Sequence, residues 1–198
     1  METGRINIEK SIFITTAFVA ICFSSCKNVQ YESAAKIVKE WTGKEIKFPE
    51  GLTCTSMGKD TTCIDLYSDN YKILIYVDSI GCTSCRLRLS EWKKIINESD
   101  TIFSKPIEFI FIFQPKQKEE KELQQIFKNN AFKHPVFIDR KNEIDKLNKL
   151  PSRPEFQCFL LDKDSKVVVI GNPTNKEIWA LFTKVVIESD RSSISLRG

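Results

Sequence analysis

The sequence predicts an α/β domain with a mixed central sheet covered on both faces by helices, and three observations carry that expectation. Two near-continuous apolar runs, Lys72-Ile-Leu-Ile-Tyr-Val77 and Ile107-Glu-Phe-Ile-Phe-Ile-Phe113, have the composition of strands buried on both faces of a sheet. Between them Leu87, Leu89, Trp92, Ile95 and Ile96 recur at helical spacing to about Asn97, which gives the order strand, helix, strand. Farther on, Phe156 to Leu161 turns through Asp162-Lys-Asp-Ser165 into Val167-Val-Val-Ile170, a hairpin, and a last helix over 177–187 presents Ile178, Leu181, Phe182 and Val185.

The remaining elements follow from the same periodicities. Tyr31, Ala34, Ala35, Val38 and Trp41 mark a helix that Gly43 is placed to end, and the helix is expected to pack on the main domain. The stretch from Gly51 through Cys54 to Cys63 alternates β-prone ends with glycine and polar residues and reads as a hairpin or loop. Residues 116–129 are strongly charged, yet Leu123, Ile126 and Phe127 fall three and four apart, so the charges are the solvated face of an amphipathic helix. Pro135 to Asp139 reads as a short strand and Glu143 to Leu150 as a short helix. Trp41, Trp92 and Trp179 all lie on helical stripes and are expected to be packing residues. His134, the single histidine, precedes Pro135 at a strand start and is expected to be structural.

The first 25 residues read as a lipoprotein signal peptide. Arg5 and Lys10 lead into an apolar run from Ser11 to Phe23 that is shorter than the roughly 20 residues a membrane span requires. The run ends at Cys26, and Phe23-Ser24-Ser25-Cys26 resembles the bacterial lipobox, which implies lipidation of Cys26. Ordinary signal cleavage with a free cysteine, or an uncleaved anchor helix, are the other readings of this segment. The expected organisation is then 1–25 signal peptide, 26–70 tether, helix and cysteine-containing loop, 71–190 the α/β domain, and 191–198 a flexible tail. The expected location is the envelope of a Gram-negative bacterium, lipid-anchored on the periplasmic side.

Lys and Arg number 30 against 26 Asp and Glu, a net charge of +4, and the two signs are interspersed. No basic patch marks a nucleic-acid binder, and nucleic acid is excluded as a partner on that ground. Seven cysteines are many for a reduced cytosolic chain of this size but suit an oxidising compartment. With Cys22 removed and Cys26 lipidated, Cys54, Cys63, Cys82, Cys85 and Cys158 are left, and the odd count leaves one unpaired.

The chemistry is expected at Cys82-Thr-Ser-Cys85, where the first core strand hands over to a helix. A thiolate at a helix N-terminus is stabilised by outward-pointing amides and the helix dipole. In a Cys-X-X-Cys motif so placed, the first sulfur falls from about 8.5 into the range of roughly 3.5–7.5. Cys82 is then the nucleophile that attacks a disulfide, and Cys85 the resolving thiol that attacks the mixed disulfide in turn. Arg86 and Arg88 are close enough in sequence to add a small, screened contribution. Cys54 and Cys63 read as a structural disulfide closing a small loop, with a second redox pair as the alternative. Cys158, in a core strand, reads as a buried free thiol, with a third redox sulfur as the alternative.

The strand, Cys82-Thr-Ser-Cys85 and the later Phe159-Leu-Leu-Asp162-Lys-Asp-Ser-Lys-Val167 resemble TlpA-like thiol–disulfide oxidoreductases of the thioredoxin superfamily over about residues 71–188. Val167-Val-Val-Ile-Gly-Asn-Pro173 is similar to thioredoxin-like lipoproteins of Bacteroidetes-type bacteria. The resemblance implies a thioredoxin-like three-layer α/β/α fold with a mixed sheet, an N-terminal helical extension and an insertion around 116–140. It implies exchange with disulfide- or dithiol-containing envelope proteins and an unknown redox partner, without a cofactor or metal. It also implies a substrate-binding loop at Pro154 and Phe156.

The sequence departs from that family in several places. Gly81 stands where an aromatic residue usually precedes the first cysteine, and Thr83-Ser84 lack the frequent proline. Tyr76 occupies the position of a buried carboxylate, with Asp78 nearby as a candidate substitute. Phe156 stands where the family has a cis-proline, so that either Pro154 serves through a small bulge or the loop is built differently. Two other functions stay open beside the oxidoreductase: a non-catalytic binding module on a lipoprotein, and a zinc site using Cys54, Cys63, Cys82 and Cys85. Peroxidase chemistry is a weaker reading, since Ser79 is at best a partial match to the threonine it needs.

Overall fold

The computed structural model describes residues 34–78 and 87–195. The chain divides into two compact units, Met1–Glu40 and Trp41–Gly198. The described residues of the first, 34–40, are helical, and Gly43 adopts the positive φ of 81° that suits a residue just past a helix end.

In the second unit the strands are β1 (Thr53–Ser56), β2 (Lys59–Asp60), β3 (Lys72–Val77), β4 (Glu108–Phe113), β5 (Val136–Ile138), β6 (Cys158–Leu161) and β7 (Val167–Ile170). They form one sheet in the order β2-β1-β5-β4-β3-β6-β7. β4 is parallel to both β3 and β5, whereas β1 on one side and β6 and β7 on the other run antiparallel to their neighbours. The helices are α1 (Leu89–Ile102), α2 (Glu120–Asn129), α3 (Glu143–Asn148) and α4 (Lys176–Ser195). Residues 116–140 supply α2 and β5, and the hairpin expected after Gly51 becomes the edge of the sheet through β1. α4 runs to Ser195, well past the expected end at 187 and into the segment expected as a tail.

Alternation along the strands sorts the core into two layers. Ile73, Ile75, Phe109, Phe111, Phe113, Val136, Ile138, Cys158 and Leu160 face Trp92 and Ile95 of α1, Leu123 and Phe127 of α2, and Phe182 of α4. On the other face Phe159 packs against Trp41 at 5.3 Å between ring centroids, and the Tyr76 hydroxyl lies 2.8 Å from Asn142 Oδ1 at the start of α3. This is the expected three-layer arrangement.

Buried polar groups in this core have specific partners. Lys72, 0 % exposed, donates through Nζ to the carbonyls of Ser68, Asn70 and Lys163 at 2.6, 3.2 and 3.3 Å, and burial pushes its ammonium below the ordinary lysine range. Asp139 is buried at the end of β5, where its carboxylate accepts the amide hydrogens of Glu143 and Ile144, both at 2.9 Å, and so caps α3. His134 Nε2 lies 2.7 Å from the Phe109 carbonyl, and burial shifts the ring below its usual value. The histidine is structural, as expected.

α2 ends in a Schellman motif without its usual glycine. The Phe132 amide donates to the Phe127 carbonyl at 2.9 Å and the Ala131 amide to the Lys128 carbonyl at 3.0 Å, while Ala131 itself sits at φ 46°. A Cβ in the left-handed region costs roughly 1–2 kcal/mol, which glycine avoids at some expense in chain entropy. Ala131→Gly is therefore expected to raise the unfolding free energy by about 1 kcal/mol in urea titration. A loss of stability would show that the turn is not strained.

Candidate functional site

Cys82 and Cys85 lie outside the described residues, as does Cys26, but the elements on either side of Cys82 and Cys85 are well defined. β3 is the strand between parallel β4 and antiparallel β6, and its last residue, Val77, accepts a hydrogen bond from the Gln114 amide at 2.9 Å. α1 begins at Leu89, after Arg88 in the left-handed region at φ 46°, ψ 37°. The chain between Val77 and α1 is thus the connection leaving the carboxyl end of an interior strand, the place where open α/β sheets present functional groups.

Arg88 does not offer a free charge to this connection. Its Nε donates to Glu91 Oε1 at 3.0 Å, its guanidinium pairs with Glu91 Oε2 at 2.9 Å, and a third donor reaches Thr174 Oγ1 at 2.7 Å. The side chain ties the start of α1 to the loop after β7. Arg86 lies outside the described residues.

The loop before β6 is built around a 3-10 turn, Pro154–Phe156, with Arg153 stacked on the Phe156 ring at 4.9 Å. No described peptide bond is cis, so Pro154 opens this turn and supplies no cis-proline loop. The neighbouring Gln157, which sequence reasoning did not single out, fixes the loop to β3: it is buried, its Nε2 donates to the Pro151 carbonyl at 3.0 Å, and its own carbonyl accepts the Tyr76 amide at 3.0 Å. A glutamine beside a predicted core strand is the signal that marks it, because a buried amide needs partners for both its donor and its acceptor.

Tyr76 is buried at the position of the family's carboxylate, with its hydroxyl held by Asn142. Asp78 is half-buried. Cys158 pairs with Ile75 across β3 and β6 on the face that packs α1, and burial pushes its thiol up to about 12. It is a core thiol.

Cys54 and Cys63 are brought together. Cys54 is buried on β1 and Cys63 is exposed in the chain after β2. The two are free thiols, and burial, followed by the neighbouring Cys63 thiol, pushes the Cys54 thiol up to about 12. Of the four sulfurs a zinc site would use, these two are neighbours and the other two lie outside the described residues.

No protein-family model matches the chain, and no curated protein does. Solved structures do match. The chain is similar to the thioredoxin domain of a thiol-disulfide oxidoreductase from Bacteroides vulgatus, with a TM-score of 0.52 at 13 % identity over 72 % of this chain and 97 % of that one. It is similar to a thioredoxin-like protein from Porphyromonas gingivalis, with a TM-score of 0.51 at 14 % identity over 73 % and 95 %. A cysteine-to-serine mutant of PrxQ from Xylella fastidiosa matches with a TM-score of 0.50 at 11 % identity over 75 % and 96 %. At such identities the likeness is one of architecture, and together with the strand order and the three layers it establishes that this chain has the thioredoxin-like fold.

Proposed function

We propose that the chain is an exported, TlpA-like thiol–disulfide oxidoreductase in which Cys82 is the nucleophile and Cys85 the resolving thiol. The observation that carries this reading is the position of Cys82-Thr-Ser-Cys85 in the connection between β3 and α1 of a thioredoxin-like fold. The Cys82 thiolate attacks one sulfur of a partner disulfide, forming a mixed disulfide and releasing the partner's other sulfur as a thiolate that takes up a proton. The Cys85 thiolate then attacks the Cys82 sulfur, and the second partner thiol leaves. The partner is reduced by two electrons and the Cys82 and Cys85 pair is oxidised; the reverse sequence oxidises a partner dithiol.

The partners in this reading are disulfide- or dithiol-containing envelope proteins, together with a redox protein that resets the pair. The short apolar run and Cys26 support a lipid anchor on the periplasmic side. Pro154 and Phe156 border the carboxyl end of β3 through Gln157, which supports a role for that turn in seating the partner.

The test is covalent capture. The full-length Cys85→Ser chain, expressed in a Gram-negative host and recovered under acid quench, is expected to carry mixed disulfides to envelope proteins through Cys82, released by dithiothreitol. If Cys85→Ser yields no more adducts than a Cys82→Ser, Cys85→Ser control, the oxidoreductase reading fails. The binding-module reading then predicts partner binding that survives Cys82→Ala.

A further inference from the structure

The Cys54 and Cys63 pair has the geometry of an exchange site as well as that of a staple. Its two sulfurs are unequal: Cys63 is exposed and Cys54 is 5 % exposed, held on β1 by pairing opposite Phe137 of β5. An accessible sulfur that a partner reaches first and a protected sulfur in contact with it are what a dithiol needs to exchange and then resolve. Burial also holds the Cys54 thiol protonated until it is engaged, at about 12.

The surrounding backbone is secured without any sulfur–sulfur bond. β1 is laddered to β5 and to β2, and the Thr61 amide reaches the Cys54 carbonyl at 3.3 Å. Beyond Cys63 the chain is tied down again by the Tyr67 hydroxyl on the Phe48 carbonyl at 3.3 Å and by Lys72 Nζ on the Ser68 and Asn70 carbonyls. A bond between the two sulfurs can therefore form and break while the fold around it stays in place. The row Cys54, Phe137, Ile112, Tyr76 crosses the sheet, so the pair sits three strands from β3, at a backbone separation of about 14 Å from Tyr76.

We propose that Cys54 and Cys63 form a second thiol–disulfide site, entered through Cys63, that reacts reversibly with accessible disulfides. Cys63 gives up its proton to solvent and attacks one sulfur of the incoming disulfide; that S–S bond breaks, a mixed disulfide forms on Cys63, and one thiolate leaves and is protonated. Cys54 loses its proton to the departing thiolate as it attacks the Cys63 sulfur, closing the 54–63 bond and releasing a second thiol. The incoming disulfide is reduced by two electrons and the pair is oxidised.

The experiment uses the full chain carrying Cys82→Ser and Cys85→Ser, so its outcome is independent of the function proposed above. The chain is equilibrated with mixtures of reduced and oxidised glutathione, quenched with alkylating agent and mapped by peptide mass. The expected result is a 54–63 disulfide that appears as the oxidised fraction rises and disappears when it falls, with the circular dichroism of the folded chain unchanged. Cys54→Ser is expected to accumulate one glutathione on Cys63, Cys54→Ala to do the same should serine not fold there, and Cys63→Ser to lose both adduct and disulfide. A parallel arm with insulin as the oxidant separates protein disulfides from small ones: consumption of the free thiols by glutathione alone assigns the site to small disulfides, and by both to either source. A 54–63 bond that reduced glutathione opens only after denaturant is added, or a pair that never closes, overturns the proposal.

Discussion

Replacing Phe111 with alanine is expected to lower the unfolding free energy by about 3–5 kcal/mol, a large part of the roughly 5–15 kcal/mol that holds a domain together. Phe111 is 1 % exposed in β4, between Ile75 of β3 and Val136 of β5. Its ring meets Trp92 of α1 and Phe132 edge-on, each at 5.3 Å between centroids, and stands 5.3 Å from His134 and 6.4 Å from Phe113. Truncation removes the transfer free energy of the ring, leaves a cavity whose walls belong to three strands and a helix, and forfeits about 0.5–1.5 kcal/mol for each favourable aromatic pair beyond its area. Urea unfolding monitored by circular dichroism checks it, with the slope expected to stay constant. Phe111→Leu, which keeps most of the volume, is expected to lose distinctly less. Equal losses for the two variants would mean that the cluster is held by bulk hydrophobicity and not by ring packing.

That cluster also shows what the sequence makes legible. β3 spans Lys72–Val77 in the structure and in the sequence reading alike, because an apolar run flanked by polar residues leaves no other place for five consecutive buried positions. The charged stretch before Asn129 is a helix for the equally local reason that Leu123, Ile126 and Phe127 share one face. What local pattern does not encode is partnership across the chain. Thr53–Ser56 reads as hairpin or loop, and only its pairing with β5, some eighty positions later, makes it an inner strand of the sheet. Lys72 is the one charged residue of that apolar run, and it is fully buried because the carbonyls of Ser68 and Lys163 converge on it. The Pro154 turn diverges from the family pattern for the same reason: its shape is set by Gln157 bonding to Pro151 and to β3. Cys54 and Cys63 are the converse case, since nine positions and a tight turn between them bring the sulfurs together by local geometry alone.

In the proposed reaction, Cys82→Ser is expected to abolish catalysed reduction of insulin disulfides, while Cys85→Ser is expected to react once and stop. The two losses differ because the first removes the nucleophile and the second only the release step, so Cys85→Ser should show one mixed disulfide per chain and no turnover. Arg88 is committed to Glu91 and Thr174 in an exposed ion pair, and such pairs contribute about 0–1 kcal/mol, so its charge is not what activates a neighbouring sulfur. In the proposed reaction the activation is expected from backbone dipoles at the helix start, as read from the sequence. In the Cys85→Ser chain, then, iodoacetamide should modify Cys82 with a pH midpoint well below the ordinary value of about 8.5, and Arg88→Ala should leave that midpoint in place. A midpoint at the ordinary value would remove the electrostatic basis for Cys82 as nucleophile. A midpoint that returns to it only with Arg88→Ala would transfer the role to the guanidinium and require the Glu91 pair to open during attack.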